Sequence, residues 1–259
     1  MGYYKISFAG AGNVAGALCK ALHEKKNTIE HIVSRNEARG LAFSSDFNST
    51  WSDNYIFPST SELIIVSVPD NSIKKILGKI SCNENAIVLH TAGSVGIDVF
   101  KGLFRNYGVL YPLQTFSSGR YPDFGTIPLF IEASDNRTLN IIKDIAGSLS
   151  GSVFECDSEH RRLLHLAAVF ACNFNNHLMT RGKELTMKAG FNFEVLKPLL
   201  KETIDKAFEK GPENSQTGPA LRNDTDTLSK HVEMLSFSPE LSEIYELISK
   251  SIAKYHKNL

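Results

Sequence analysis

Apolar and polar positions follow two alternating patterns over the first part of the chain. Nearly continuous apolar runs at 5–8 and 62–68 are typical of strands buried on both faces of a parallel sheet. Between such runs, apolar residues recur at the spacing of one helix face. In the first helical segment they are Val14, Ala17, Leu18, Ala21 and Leu22. This alternation predicts an α/β fold with a doubly wound sheet and right-handed crossovers.

The pattern changes after Cys156, where only helical periodicity remains. The predicted strands are 5–8, 29–33, 62–68, 86–89, 109–110, 127–133 and 152–156. The helices among them are predicted from Asn13, from Asp70 to Ile80 with Asp70 or Asn71 as its cap, and from Asp135 to Leu149. Later helices are predicted near 158–190, 194–210, 224–236 and 239–256, with Asp157 and Asp224 as N-caps. We therefore expect an α/β domain at 1–156 and an all-helical domain at 157–259.

Composition excludes several classes of partner. Hydrophobic residues make up 42% of the chain and charged residues 22%, and 28 basic residues balance 28 acidic ones. This balance favours neither nucleic acid nor an anionic membrane as a partner. No apolar run reaches the about 20 residues that span a bilayer, and the first residues do not resemble a signal peptide. The four cysteines are widely spaced, which predicts reduced thiols in a cytoplasmic protein and no metal site.

A glycine-rich segment, GAGNVA, lies between the first strand and the first helix. Gly10 suits a tight turn, Gly12 lets the backbone approach a pyrophosphate, and Ala15 allows close packing of helix on strand. The helix N-terminus would offer free N–H groups to the phosphates. A glycine turn without a ligand is the alternative. The predicted cofactor-binding residues of this segment are Gly10, Ala11, Gly12, Asn13 and Val14.

The end of the second strand distinguishes NAD from NADP. An NAD site usually has an Asp or Glu there, whereas this strand ends in Ser34, Arg35 and Asn36. Arg35 can pair with a 2′-phosphate through its planar guanidinium, and the two neighbours can donate hydrogen bonds to it. A solvated arginine at a helix start is the alternative. We predict NADP as the cofactor.

The motifs GAGNVA and SRN resemble the pyrroline-5-carboxylate reductase and 6-phosphogluconate dehydrogenase superfamily, which includes β-hydroxyacid dehydrogenases and deazaflavin-dependent NADP reductases. The motifs VPDNSI, HTAGS, YPLQTFS, HLAAVFACNF and TGPALRND are closer to one subgroup, the Rossmann-like NADP oxidoreductases with a helical C-terminal domain of unassigned function. The resemblance covers nearly the whole chain. It implies a Rossmann-type domain, a C-terminal domain similar to that of 6-phosphogluconate dehydrogenase, and a homodimer formed through the helical domain.

Three segments of the α/β domain are expected at the ligand crevice, beyond the carboxyl ends of the strands. By resemblance, the backbone of Val68, Pro69 and Asp70 lies along the ribose and nicotinamide. The loop from His90 to Ser94 resembles a substrate-contacting loop of related dehydrogenases. It contributes Ala92 and Gly93 to the cofactor site and Ser94 to the substrate. The segment 111–116 resembles a substrate wall of pyrroline-5-carboxylate reductases, with Gln114 and Thr115 as polar contacts; a packed strand-to-loop turn is the alternative.

Candidate proton carriers are two histidines. His90 could donate or accept a proton near neutral pH, but a buried, hydrogen-bonded strand-end histidine is the favoured alternative. The segment 163–172 is apolar nearly all round, which predicts a central, buried helix in which His165, Cys172, Asn173 and Asn176 form one polar stripe. The stripe faces the crevice in one interpretation and forms an interhelical hydrogen-bond cluster in the other. β-Hydroxyacid dehydrogenases carry a catalytic Lys and Asn on the equivalent helix. This chain has no Lys there, so their mechanism does not transfer directly.

These observations predict an NADP-dependent oxidoreductase that transfers a hydride between the nicotinamide and a small carbonyl, imine or alcohol. His165, Asn173 and His90 are the predicted catalytic residues, and Ser94, Gln114 and Arg222 the predicted substrate contacts. Arg222 precedes the helix capped by Asp224. It can bind an anion such as a carboxylate or phosphate, and the resemblance implies that it does so across a dimer. The alternative is that it pairs with Asp224 and holds the loop. The alternative function is a non-catalytic NADP(H) sensor or scaffold.

Overall fold

The computed structural model describes residues 3–257, which form two compact units that divide between residues 171 and 172. The strands of the first unit are β1 (Lys5–Ala9), β2 (Thr28–Val33), β3 (Thr50–Ser52), β4 (Leu63–Val66), β5 (Ile87–His90), β6 (Asn106–Pro112), β7 (Leu129–Ala133) and β8 (Val153–Glu155). Its helices are α1 (Asn13–Glu24), α2 (Glu37–Asp46), α3 (Asp70–Leu77), α4 (Asn136–Leu149) and α5 (Ser158–Ala168). The predicted boundary between 156 and 157 falls between β8 and α5, while the compact units divide after α5.

The eight strands form one sheet in the order β3-β2-β1-β4-β5-β6-β7-β8. Neighbouring strands are parallel except β6 and β7, which are antiparallel. The chain order reverses between β1 and β4, so this sheet has the switch point of a doubly wound α/β fold, and the predicted fold class is confirmed. The antiparallel pair follows from the connection 113–128, which has no α-helix with which to make a crossover.

Strand β4 shows why the central run is continuously apolar. Leu63 and Ile65 belong to one core cluster and Ile64 and Val66 to the other, and all four are at most 1% exposed. Successive side chains of a strand point to opposite faces, so both faces of the sheet are covered here, as the apolar run predicts.

Two elements of the first unit lie where no element is predicted. Helix α2 contains Gly40 and two serines, which are weak helix formers, and only two of its residues are buried. Its partner β3 is a three-residue edge strand. Gly40 is required here because a Cβ would lie 2.0 Å from the Trp51 indole nitrogen. Helix α2 and strand β3 therefore form because they pack on each other, and the spacing of apolar residues along the chain does not indicate such packing.

The long helical segment after Asp157 differs from its prediction in burial and in geometry. Asp157 caps α5 as predicted, but residues Val169–Phe174 are π-helical before α6 (Asn175–Lys188) begins. The expectation of a central, buried helix is wrong, because Leu163, Leu166 and Phe170 are 61%, 51% and 64% exposed. The predicted stripe also assumes 100° per residue, and the wider π-helical turn between His165 and Asn176 breaks that spacing.

The second unit is all-helical, as the later periodicity predicts. It contains α6, α7 (Lys197–Lys210), the single turn α8 (Pro212–Ser215), α9 (Thr225–Met234) and α10 (Pro239–His256). The Asp224 side chain accepts a hydrogen bond from the Thr227 backbone N–H and caps α9, which confirms that prediction. Across residues 3–257, none of the helices is long and apolar enough to cross a membrane.

Candidate functional site

The glycine segment after β1 has a backbone that only glycine adopts at its first position. Gly10 has φ +118°, and its N–H donates to the Val33 carbonyl oxygen over 2.8 Å. A Cβ at Gly10 would lie 2.1 Å from the Ser67 carbonyl oxygen. The turn is therefore folded tightly against the end of β4, and Gly10 is a structural requirement.

Gly12 is a different case, because space surrounds it. It precedes α1 with φ −80°, and the nearest atom to a Cβ there, the Ser67 carbonyl oxygen, would be 3.9 Å away. No side chain caps α1, and its first turn has no acidic residue. Ala15 is fully buried, which lets the helix approach the strand closely. The geometry offers uncapped N–H groups at a helix N-terminus to an anion, so these residues fit a pyrophosphate.

In the turn after β2, some side chains are used in hydrogen bonds within the turn and one is free to contact a ligand. Ser34 is 7% exposed, and its hydroxyl donates to the Asn36 carbonyl oxygen over 2.7 Å. The Asn36 side-chain oxygen accepts from the Arg39 backbone N–H over 2.9 Å and so caps α2. Arg35 is exposed. Arg35 is therefore available to a ligand, whereas Ser34 holds the turn.

Arg39 is a basic residue at this edge that the sequence motif did not indicate. Its Nη2 atom lies 3.3 Å from Oδ1 of Asn13, in the first turn of α1. A cavity of about 200 Å³ adjoins them and is lined also by Gly12, Gly16 and residues 117–119. Arg39 follows Arg35 by four positions, but this spacing points to one helix face only where a helix is predicted, and none is predicted here.

The segment after β4 meets the loop after β5. The sequence suggested Asp70 or Asn71 as the cap of α3. That prediction is wrong, because Pro69 occupies the N-cap position and no side chain caps the helix. Asp70 is instead the first residue of the helix, and the Ser94 hydroxyl donates to its carboxylate. Both residues are exposed, so a carboxylate and a hydroxyl that are hydrogen-bonded to each other lie at this edge of the sheet.

Tyr111, at the end of β6, is a second candidate side chain to which the sequence assigned no role. Its hydroxyl lies 3.1 Å from Nδ1 of His165 on α5. Gly93 packs against both rings: a Cβ there would lie 2.7 Å from the tyrosine Cζ and 2.8 Å from the histidine Cγ and Nδ1. Burial and the nearby Asp70 carboxylate raise the pKa of Tyr111, while Arg161 opposes this shift. The structure thus brings together Asp70, Gly93, Ser94, Tyr111 and His165.

His90 is placed beneath the site, away from solvent. Its side chain is fully buried and stacks on Phe100 at 5.4 Å between ring centroids. Nδ1 accepts the Ala92 backbone N–H over 3.2 Å. Burial, and secondly the charge of Arg161, lower the pKa of His90 to about 3, so this ring is neutral at physiological pH. The geometry fits the structural alternative for His90.

The other predicted contacts are Gln114, in the segment after β6, and Asn173 and Arg222, in the second unit. The Gln114 side chain accepts the Thr115 backbone N–H over 2.8 Å and so closes its own turn. Asn173 and Arg222 belong to the second unit and are exposed there. Their roles stay predictions.

Comparisons with known proteins place this site in context. A family model described as "NADP oxidoreductase coenzyme F420-dependent" matches residues 5–93, and one described as "Domain of unknown function (DUF2520)" matches residues 127–252. The crystal structure of a "putative NADP oxidoreductase" from Bacteroides fragilis is 39% identical over 97% of this chain and 98% of that one, with a TM-score of 0.90. The comparison with curated proteins finds no significant match.

Two more distant crystal structures share the fold. A protein from Thermotoga maritima is 24% identical over 98% of each chain, with a TM-score of 0.71. A reductive aminase from Aspergillus terreus, in complex with NADPH and ethyl-5-oxohexanoate, is 14% identical over 98% of this chain and 95% of that one, also with a TM-score of 0.71.

The two glycines provide a test of the phosphate site. We expect Gly12→Ala to fold normally, because the added Cβ would make only an ordinary van der Waals contact with Ser67, and to weaken NADPH binding about tenfold or more by blocking close approach of the phosphates. Titration calorimetry with NADPH measures the loss. Gly10→Ala is the contrasting variant: its strained backbone and clash should cost at least about 1–3 kcal/mol of folding stability. Unchanged NADPH affinity in Gly12→Ala would contradict the assignment.

Proposed function

The chain belongs to the same family as the Bacteroides fragilis protein, a family of Rossmann-like NADP oxidoreductases, and on this premise we propose that it transfers a hydride between NADP and a small carbonyl, imine or alcohol. The family resembled by the sequence motifs is thereby confirmed, as is NADP as the cofactor named for that family. The contact between Tyr111 and His165 beside Gly93 is the observation that carries the proposal.

In our proposal the first unit holds the cofactor through groups already at the carboxyl edge of the sheet. The backbone of Gly12 and the start of α1 bind the pyrophosphate. Arg35 and Arg39 bind the 2′-phosphate, because exposed guanidinium groups pair well with phosphate oxygens. The segments after β4 and β5 line the nicotinamide side.

The remaining requirement is a proton. When bound, the reduced nicotinamide supplies a hydride to the substrate carbon, and one proton must then reach the carbonyl oxygen or imine nitrogen. A tyrosine hydroxyl is protonated at neutral pH, and burial raises the pKa of Tyr111 further, so this hydroxyl carries a proton that it can donate. His165 lies within hydrogen-bond distance and is partly exposed, so it can return a proton to the phenol. In the oxidative direction, the same groups accept the proton.

Asp70 and Ser94 complete the substrate end of the proposed site. The carboxylate and hydroxyl are linked by a hydrogen bond and remain exposed, so they can orient a polar group of the substrate. For Asn173 and Arg222, which belong to the second unit, the catalytic and substrate-binding roles remain proposals. His90 supports the loop from beneath.

The two arginines define a test of cofactor choice. Arg35→Asp should reduce NADP affinity by about 10- to 100-fold more than NAD affinity, because a charge-assisted pair with the 2′-phosphate is lost and repulsion replaces it. Arg39→Asp should act in the same direction. Arg137→Asp, the same charge change at the exposed start of α4, is the matched control. An equal loss for NADP and NAD would refute the placement of the 2′-phosphate.

The proton-donor role is tested with Tyr111→Phe. We expect NADPH oxidation to fall by about 10²–10⁴-fold, because the phenolic proton is lost while the ring still packs against Gly93. NADPH affinity should be retained. The assay follows NADPH absorbance over a panel of keto acids and imines, with a thermal shift to verify binding.

The outcome also separates catalysis from sensing. Full turnover in both Tyr111→Phe and His165→Asn would remove these residues from the mechanism. A wild-type protein that is stabilised by NADPH but oxidises none of it across the panel would favour the sensor or scaffold alternative.

We also propose a homodimer formed through the helical unit. Among its described residues, the buried apolar side chains are Ala220, Leu235 and Leu241, whereas Phe208 is 90% and Leu247 71% exposed. So small a core does not stabilise a helical unit by itself, and large exposed apolar side chains mark an interface.

Sedimentation equilibrium should therefore give about twice the chain mass of 28.7 kDa. The double variant Phe208→Glu/Leu247→Glu should dissociate the dimer. Leu103→Glu, which changes an exposed leucine of the first unit (48% exposed), should leave it intact. A monomeric wild-type protein would contradict the proposal.

A further inference from the structure

A buried arginine of α5 lies close to the proposed site but outside its chemistry. Arg161 is 0% exposed. Its Nη1 atom donates to the Glu132 carboxylate of β7, and its Nη2 atom donates to the Val95 carbonyl oxygen over 2.7 Å. Burying a charge of this size is costly unless it is paired. The two terminal nitrogens are paired, whereas Nε finds no hydrogen-bond partner among the described residues, so the terminal nitrogens alone fix the position of the guanidinium.

Ser158 completes this cluster, which we call the Arg161 clamp (Val95, Glu132, Ser158 and Arg161). The serine hydroxyl donates to Glu132 over 2.7 Å and accepts from Arg161 Nη2 over 3.1 Å. It also accepts the Ile97 backbone N–H over 2.8 Å. The clamp therefore joins the loop after β5, the strand β7 and the helix α5.

Its position relates it directly to the proton carriers. His165 follows Arg161 by one helical turn on α5, so the two side chains lie on the same face. Val95 lies two residues after Gly93, which packs against both Tyr111 and His165. The loop and the helix that meet at the Tyr111–His165 contact are thus the two elements that the guanidinium ties together.

We propose that Arg161 is a positioning residue for the Tyr111–His165 pair, because its fork fixes α5 and the Val95 segment at the spacing that keeps the tyrosine hydroxyl on His165 Nδ1. The effect of Arg161 on catalysis rests on the proposed function, but the hydrogen bond between Tyr111 and His165 can be measured without a substrate. The charge of Arg161 also favours release of the Tyr111 proton, since it opposes the effect of burial on that phenol.

The test compares Arg161→Lys with Ser158→Ala. Lysine keeps the charge but lacks the planar fork that reaches Glu132 and Val95 together. Ser158→Ala removes one hydroxyl at the first position of α5, where alanine is well tolerated, so this variant folds even if the other does not. The ¹⁵N resonance of His165 Nδ1, assigned with His165→Asn, reports the hydrogen bond in histidine-labelled protein, and Tyr111→Phe gives its position when the bond is absent.

We expect both clamp variants to move the His165 Nδ1 resonance toward the Tyr111→Phe position, with the larger change in Arg161→Lys. His31 is the internal control. Its Nδ1 lies 2.6 Å from the Thr50 hydroxyl, in the half of the sheet formed by β3, β2 and β1, so its resonance should not move. A folded variant with an unchanged His165 resonance overturns the proposal. So does an equal movement of the His31 resonance, which would mean general loosening of the fold.

Kinetics then separate this inference from the proposed function. With a turned-over substrate, Arg161→Lys should lower kcat by about tenfold or more and leave the NADPH KM within about twofold, because a misplacement of about 1 Å at the reacting groups is enough to cost this much. An inactive wild-type protein in which the clamp variants still move the His165 resonance refutes the oxidoreductase and keeps the clamp. An active wild-type protein whose resonance does not move refutes the clamp alone.

Discussion

Parallel pairing of the central strands is the constraint on which the first unit depends. Ala9 pairs with Val66, Val66 with His90, and His90 with Val109. Strands that run in one direction end at one edge, so the segments that follow them meet there whatever their separation along the chain. The glycine turn, the start of α3, the loop after β5 and Tyr111 occupy that edge for this reason.

Two histidines at the same edge have different environments, which suit the two rings to different tasks. His90 is enclosed by Phe100 and the following loop, and its low pKa keeps it neutral. His165 comes from a helix that covers the edge, stays partly exposed and contacts a phenol. A neutral, enclosed ring is suited to packing, whereas a partly exposed one beside a hydroxyl is suited to passing protons.

Local chemistry made much of the fold predictable from the sequence. The continuous apolar run of β4, the glycine turn and the caps Asp157 and Asp224 each follow from properties of a few adjacent residues. Helix α2 did not, because its sequence is a weak helix former held by packing. The exposure of Leu163 was not predictable either. An apolar helix face indicates that it packs against another surface, but not whether that surface belongs to the same chain.

The candidate site was predictable only where backbone geometry defines it. Gly10 and Gly12 were found from spacing, whereas Tyr111 reads in the sequence as a packed aromatic at a strand end. Only the pairing of β5 with β6 and the docking of α5 bring it to His165. Arg39 was likewise hidden, because the helix that carries it was not predicted.

The guanidinium of Arg161 also has a consequence for the order in which the molecule assembles. It joins α5 to groups that lie 29 and 66 residues earlier in the chain. Contacts of such long sequence separation form only after the intervening chain has been organised. During synthesis, the Arg161 clamp and the contact between Tyr111 and His165 can therefore form only after all eight strands of the sheet have been made, because α5 follows them in the chain.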